Sequence, residues 1–215
     1  MHHAPLRRAV VAAARALDAA GLNRGTSGNV GARVAGDFLV TPTGVAPAAL
    51  TPAAIVRLNG RGEVLEGAFA PSSEWRIHRD VLAARSEVGA VVHAHPTFAT
   101  ALACQGLAIP AFHYMVAVAG GDSIRCAPYA TFGSAALSAA VVKALENRRA
   151  CLMAHHGIVA LGHDPAAAVR LAIEVEALAE QYWRVLQLGR PRLLGRAEMK
   201  RVLARFATYG QPRRR

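Results

Sequence analysis

The order of helix and strand patterns along the chain constrains the fold more than any other feature of this sequence. One amphipathic helical repeat runs from Arg7 to Ala20 and a longer one from Pro165 to Leu188, with short strands and further helices between them. These patterns do not follow the regular strand–helix–strand rhythm that produces a doubly wound parallel sheet. The sequence therefore predicts an α/β fold with a mixed, largely antiparallel central β-sheet covered by helices.

The remaining elements are predicted from their hydrophobic periods and from turn signals. Strands are predicted at 29–34, 37–41, 89–95, 109–118, 124–129, 150–154 and 157–161, and helices at 73–85, from 97, at 134–147 and at 196–206. The first two strands should form a hairpin that turns at Ala35 and Gly36, and the last two should form a second hairpin. Residues 41–67 should be irregular, with short β pieces.

The length of 215 residues suits one sizeable domain, and no linker or repeat divides the chain. We predict a single domain over 1–215, with a core of about 6–210 and a short basic tail at 211–215. No run approaches the roughly 18 apolar residues of a membrane span. The first residues do not resemble a signal peptide, so we expect a cytoplasmic protein without a membrane partner. Cys104, Cys126 and Cys151 form no CxxC pair and are expected to be reduced and buried.

The formal charge of +11 comes almost entirely from arginine, which raises the question of nucleic-acid binding. No helix-turn-helix, zinc-finger or RNA-binding signature accompanies it, and the basic residues are spread along the chain. We therefore expect no nucleic-acid partner and interpret the charge as a solvated arginine-rich surface.

Three histidines follow buried strands in a way that suits a metal ion. His93 and His95 lie two residues apart at the end of a predicted strand, so their side chains leave the same face about 6.5 Å apart. His156 follows a second apolar strand, and Gly157 would relax the backbone where His156 turns toward the metal. Three imidazoles with an open position are typical of a catalytic zinc site, whereas a structural site would use cysteines.

Several polar segments suit a carboxylate base and a bound phosphate. Glu74 and His78 stand four residues apart, where they could share a metal or form a surface pair, and we interpret His78 as structural. Ser72 and Ser73 precede Glu74 at a predicted helix start, which favours an anion. The segments 25–29 and 43–44 offer hydroxyls, an amide and free N–H groups, although a simple turn would explain either one alone.

The two lysines of the chain, Lys143 and Lys200, both lie on polar helix faces. Neither has the desolvated surroundings that a Schiff-base lysine needs, so metal-assisted carbonyl chemistry is the simpler interpretation.

Taken together, these segments resemble the class II aldolases of the L-fuculose-phosphate aldolase type. The matching segments are GTSGNV (25–30), TPTG (41–44), SSEW (72–75), HAH (93–95), HYM (113–115), GGDSI (120–124), APYATFG (127–133) and HHG (155–157). Their shared order extends over nearly the whole chain. The resemblance implies the aldolase and adducin-head fold and a homotetramer with sites between neighbouring subunits.

The resemblance also implies roles for individual residues. The implied zinc ligands, one ion per subunit, are Glu74, His93, His95 and His156, although other divalent metals would suit imidazole too. The implied phosphate site comprises Gly28, Asn29, Thr43, Gly44, Ser72 and Ser73. Tyr114 and Tyr209 would assist at the reacting aldehyde, beside an apolar wall that includes Phe132. Glu74 would also act as the general acid and base.

The implied reaction is reversible cleavage of L-fuculose 1-phosphate, or a closely related ketose 1-phosphate, to dihydroxyacetone phosphate and L-lactaldehyde or a related aldehyde. The metal would stabilise the resulting enediolate as a Lewis acid. Two departures from the family pattern concern the site: Gly31 and Ala32 stand where relatives often have a serine, which could loosen the phosphate loop. His155 also stands where the wider family often has asparagine.

Three alternatives remain open from the sequence. A sugar-phosphate 4-epimerase of the same fold usually has an aspartate in place of Glu74. A methylthioribulose-1-phosphate dehydratase would release a ketone rather than two fragments. A non-catalytic oligomerisation module of this fold would be expected to have lost the metal ligands, all of which are present here.

Overall fold

An eight-stranded sheet forms the centre of the protein in a computed structural model that describes residues 2–206. Its strands span Asn29–Val34 (β1), Asp37–Val40 (β2), Val56–Asn59 (β3), Val64–Glu66 (β4), Ala90–Ala94 (β5), Arg125–Ala127 (β6), Ala150–Met153 (β7) and Gly157–Gly162 (β8). The strand order is β4-β3-β2-β1-β5-β8-β7-β6. All neighbours are antiparallel except β6 and β7, which are parallel. The predicted mixed, largely antiparallel sheet is confirmed.

Within residues 2–206, six α-helices accompany the sheet. They span Ala4–Ala19 (α1), Trp75–Ala84 (α2), Thr97–Cys104 (α3), Ala135–Ala144 (α4), Pro165–Gln187 (α5) and Arg196–Phe206 (α6). Short 3₁₀ helices occupy Pro47–Ala49, Pro52–Ala54 and Tyr114–Ala119. The long helix α5 begins where the sequence predicted because the Asp164 carboxylate accepts the N–H of Ala167 at 2.7 Å and Pro165 stands in the first turn.

Helices cover both faces of the sheet and form two hydrophobic cores. The core on one face draws on α1, α3 and α5 and includes Val92 of β5. The core on the other face draws on α2 and α4 and includes Val91. Since successive side chains of a strand point to opposite faces, His93 shares the α2 side with Val91. The strand thus directs a histidine toward the start of α2.

The predicted strand 109–118 is wrong. Only Ile109 makes a β-bridge there, to Ile124. Pro110 follows it and has no N–H to continue a ladder, so the chain turns away from the sheet. The 3₁₀ helix that forms instead begins where the His113 side chain accepts the N–H of Met115 and ends at Gly120, whose φ is 86°.

Two smaller differences change how the site is built. Helix α2 begins at Trp75 rather than at Ser73, so Glu74 is its N-cap and the two serines lie in the preceding turn. Strand β5 ends at Ala94, so His95 follows the strand instead of belonging to it. The β1–β2 hairpin turns where predicted, because Gly36 adopts the left-handed φ of 77° that a tight turn requires.

The cysteines match the prediction only in part. All three are free thiols, but only Cys151 is buried, while Cys126 is half-buried and Cys104 is exposed at the end of α3. Of the helices described, none combines the length and the apolar character needed to cross a membrane.

Candidate metal and substrate site

Four side chains with metal-ligating atoms meet at one end of the sheet: Glu74, His93, His95 and His156. Their ligand atoms all lie within 4.8 Å of one another. Nε2 of His93 is 2.8 Å from Nε2 of His95 and 2.9 Å from Oε2 of Glu74. Nε2 of His156 is 3.2 Å from Oε1 of Glu74. The fold therefore brings together the four residues that the sequence suggested as ligands.

Strand pairing explains why residues far apart in sequence converge. β8 lies between β5 and β7 and is antiparallel to both, so the end of β5 lies beside the turn that joins β7 to β8. His93 and His95 stand at that end of β5, and His156 stands in the turn. Glu74 immediately precedes α2, which packs on β1 and β5.

The turn that carries His156 differs from our interpretation of Gly157. The left-handed φ, 55°, belongs to His155. Gly157 is needed for space instead, because a Cβ there would lie 2.3 Å from the carbonyl oxygen of Ala94 and 2.8 Å from Cδ2 of His95. The glycine lets β8 approach the segment that carries two of the histidines.

The conformation of His155 leads to a prediction about stability. Asparagine tolerates the left-handed region well and β-branched residues tolerate it poorly. We expect His155→Asn to keep or raise the free energy of unfolding, and His155→Val to lower it by about 1–2 kcal/mol. Urea unfolding of both variants measures this, with His163→Val, at an exposed position without positive φ, as the control. Equal stability of the two His155 variants would contradict the conformational explanation.

The cluster fits a divalent metal ion. Nδ1 of His93 lies 2.9 Å from the carbonyl oxygen of Ile158, so it carries the proton and leaves Nε2 as the free donor atom. Oε1 of Glu74 is buried and has no hydrogen bond of good geometry despite its approach to His156. Such an orphaned carboxylate oxygen facing three imidazoles is what a bound cation would satisfy.

Electrostatic coupling already sets most of the protonation states that ligation needs. Burial raises the pKa of Glu74, but the charge and hydrogen bond of His93, together with the charge of His156, lower it to about 2. Burial and the charges of His93 and His156 lower the pKa of His95 to about 4, and burial and His93 also lower the pKa of His156. Only His93 has a raised pKa, because the Glu74 carboxylate outweighs its burial. A metal would therefore have to displace a proton chiefly from His93.

A cleft of about 330 Å³ opens beside the cluster. Its lining residues are Thr26, Ser27, Gly28, Asn29, Pro42, Thr43, Ser72, Ser73, Glu74, His95, Tyr129, Ala130, Phe132, His155 and His156. The lining thus combines hydroxyls, an amide and turn backbone, which we call the polar end of the cleft, with the aromatic rings of Tyr129 and Phe132. Six of the seven residues suggested for substrate binding line this cleft, and Gly44 does not.

Tyr114, one of the two tyrosines suggested for catalysis, does not line the cleft. Tyr114 is 51% exposed and lies beside His113 and Phe206 rather than among the lining residues. Tyr209 lies outside the described residues. The roles of both tyrosines stay predictions.

Asn23 and Tyr129 are site residues that sequence reasoning missed. The Oδ1 atom of Asn23 accepts the N–H of His95 at 3.1 Å, and the same side chain fills the space where a Cβ of Gly28 would lie, at 2.3 Å. Asn23 thus ties a ligand segment to the loop that begins the polar end of the cleft. No sequence signal marked it, whereas Tyr129 belongs to the APYATFG segment and could have been found there.

The mixed sheet thus carries a His₃Glu cluster that could hold a divalent metal, next to a cleft lined by hydroxyls and aromatic rings. Residues 8–183 match the family described as Class II Aldolase and Adducin N-terminal domain. The chain belongs to this family, and it is a class II aldolase.

Similar proteins span essentially the whole chain. A 5-methylthioribulose-1-phosphate/5-deoxyribulose-1-phosphate aldolase of Rhodospirillum rubrum is 54% identical, over 95% of this chain and 92% of its own. An L-fuculose phosphate aldolase of Escherichia coli strain K12 is 44% identical over 98% of each chain. Among solved structures, an L-fuculose 1-phosphate aldolase superposes with a TM-score of 0.93 at 35% identity, covering 96% of this chain and 98% of the other.

Proposed function

We propose that this protein is a zinc-dependent aldolase that cleaves a ketose 1-phosphate to dihydroxyacetone phosphate and an aldehyde. The observation that carries the proposal is the meeting of the His₃Glu cluster and a hydroxyl-lined polar end within one cleft. We also propose that the enzyme is a cytoplasmic homotetramer with sites between subunits.

Glu74, His93, His95 and His156 would hold the metal. When bound, the ion supplies Lewis-acid stabilisation of the negative charge that develops on the substrate oxygens. The three imidazoles leave room for substrate, since Glu74 can serve either as a fourth ligand or as a proton carrier.

The polar end of the cleft would bind the phosphate through neutral groups. The cleft lining given above includes no lysine or arginine. Donors would come from the hydroxyls of Thr26, Thr43, Ser72 and Ser73, from the amide of Asn29 and from turn backbone at Gly28. Such a set of fixed dipoles binds an anion without a counter-charge. Gly44, which does not line the cleft, stays a proposed phosphate residue only through the family resemblance.

The chain's own residues would move two protons. Cleavage begins with loss of the proton from the C4 hydroxyl, and the C3–C4 bond then breaks, leaving its electron pair on the three-carbon fragment. Glu74, buried beside the cluster, is ionised at its lowered pKa, so it would first take up a proton from water and then pass it to C3 to complete dihydroxyacetone phosphate. Tyr114, which is 51% exposed and does not line the cleft of its own subunit, would act on the C4 hydroxyl in a neighbouring subunit of the proposed tetramer.

We propose 5-deoxypentulose 1-phosphates, including the 5-methylthio compound, as preferred substrates ahead of L-fuculose 1-phosphate. The R. rubrum relative, named for those two substrates, shares 54% identity with this chain, against 44% for the L-fuculose phosphate aldolase of E. coli K12. The apolar wall of the cleft adds support, since Phe132 and Tyr129 are 66% and 62% exposed beside the cleft. These rings would pack on an aldehyde fragment that, unlike L-lactaldehyde, carries no hydroxyl.

The decisive experiment measures dihydroxyacetone phosphate released by zinc-loaded protein from three ketose 1-phosphates, with chelator-treated protein as the control. We expect chelator-sensitive release, with kcat/KM about tenfold or more higher for 5-deoxyribulose and 5-methylthioribulose 1-phosphates than for L-fuculose 1-phosphate. The reverse ranking would make L-fuculose 1-phosphate the preferred substrate. A ketone product, or a C4 epimer without cleavage, would replace the aldolase by the dehydratase or the 4-epimerase.

A further inference from the structure

His78 is a buried histidine that touches the site without entering it. Its side chain lies one helical turn after Glu74 on α2, is fully buried, and does not line the cleft. Nε2 of His78 is 2.5 Å from Oδ1 of Asn29. Nδ2 of Asn29 in turn lies 3.3 Å from Oε2 of Glu74. The sequence interpretation of His78 as merely structural therefore misses a direct contact with a residue of the cleft wall.

The hydrogen-bond pattern admits one arrangement of these three side chains. An amide oxygen can only accept, so Nε2 of His78 carries the proton and donates it to Asn29. Nδ1 of His78 is then the unprotonated nitrogen, which agrees with its having no partner among the described residues. With the Asn29 amide reversed, its oxygen would face the Glu74 carboxylate, and two acceptors would meet at 3.3 Å.

Gly31 on β1 packs against the His78 ring near its Nδ1 edge, the edge that does not contact Asn29. A Cβ at Gly31 would lie 2.4 Å from Nδ1 of His78. Gly31 and Asn29 stand two residues apart on β1, so both face α2. Gly31 is also held in the ladder opposite Val40 and Val91, so it does not loosen the phosphate loop as the sequence suggested. Instead the glycine makes room for the histidine.

We propose that His78 is a positioning residue that locks the amide of Asn29. In this orientation one N–H of Asn29 meets Glu74, and the other is left for the phosphate of the substrate at the polar end of the cleft. The inference rests on the proposed function for the identity of the bound anion. The inference goes beyond the proposed function because it assigns a role to His78, which touches neither substrate nor metal.

The contact predicts a loss of phosphate affinity that a general loss of stability would not produce. Without the donor of His78, only the longer contact with Glu74 holds the Asn29 amide, so the amide is freer to rotate and present its oxygen to the phosphate. We expect His78→Leu to weaken binding of inorganic phosphate and to raise KM for a phosphorylated ketose about tenfold each, with a smaller change in kcat. His78→Gln, which keeps an N–H donor of similar reach, should restore most of the affinity.

Titration calorimetry of metal-loaded protein with inorganic phosphate, in buffer free of unbound metal, tests this without relying on turnover. Bound metal and the thermal unfolding midpoint are measured for each variant. Gly31→Ala displaces the ring while keeping its donor, and should weaken phosphate binding similarly even if His78→Leu folds poorly. Wild-type affinity in both folded His78→Leu and Gly31→Ala, or equal impairment of the Leu and Gln variants, would overturn the proposal. Phosphate binding by a wild-type protein that cleaves no ketose would instead refute only the aldolase function.

Discussion

The His93→Ala protein is expected to retain almost no metal and to release dihydroxyacetone phosphate at about a thousandth of the wild-type rate or less. His93 is fully buried, and its Nε2 atom is the point where His95 and Glu74 converge. Loss of a residue that only supports a ligand already weakens metal binding about 10–100-fold, so loss of a ligand should do more. Lewis-acid stabilisation contributes several kcal/mol, and each 1.4 kcal/mol corresponds to about tenfold in rate.

Metal content by emission spectrometry after gel filtration, with the rate on the same sample, measures both effects. His163→Ala is the matched control, since His163 is 72% exposed in its side chain and paired only with its neighbour Asp164 among the described contacts. It should keep wild-type metal and rate. A folded His93→Ala protein that cleaves substrate normally while free of metal would reject the metal mechanism.

The Glu74→Gln protein should fold, keep much of its metal and turn over about 10²–10⁴-fold more slowly. The amide of glutamine matches the carboxylate in shape, and three imidazoles remain to bind the ion. It lacks the charge and the exchangeable carboxyl proton that return of a proton to C3 requires. Single-turnover rates and metal stoichiometry separate the two effects.

The control for this change is Glu63→Gln, at a carboxylate that is 60% exposed in its side chain and pairs with Arg61 on the surface. It should leave turnover unchanged. Should Glu74→Gln turn over at the wild-type rate, Glu74 has no role in proton transfer, whatever its part in holding the metal.

The metal cluster could be anticipated because its signals are local. His93 and His95 stand at the end of one apolar strand, and His156 follows a second apolar strand. These positions are visible in the sequence, and pairing of the two strands through β8 then brings the histidines together. The hairpins and α5 were predictable for the same reason, since caps, turns and periods are written in neighbouring residues. The strand predicted at 109–118 failed because Pro110 removes a ladder donor, a single local fact that outweighed the β propensity around it.

What the sequence did not disclose depends on contacts between distant segments. Asn23 holds the backbone of His95, and His78 holds the side chain of Asn29, yet neither pair is close in sequence. The need for glycine at Gly157 likewise comes from its approach to Ala94 on a neighbouring strand, not from its own backbone angles. Such roles become visible only when the sheet is assembled.

The four proposed metal ligands come from separate segments of the chain, so metal binding depends on folding. An unfolded chain offers only short-range pairs such as His2 with His3, His93 with His95 and His155 with His156, and no such pair completes a coordination sphere. A cation would therefore bind the native chain in strong preference to the unfolded one, and by mass action its presence would shift the folding equilibrium toward the native state. The ion would link the start of α2, the end of β5 and the β7–β8 turn. Removal of the metal would therefore lower the thermal unfolding midpoint as well as the turnover rate.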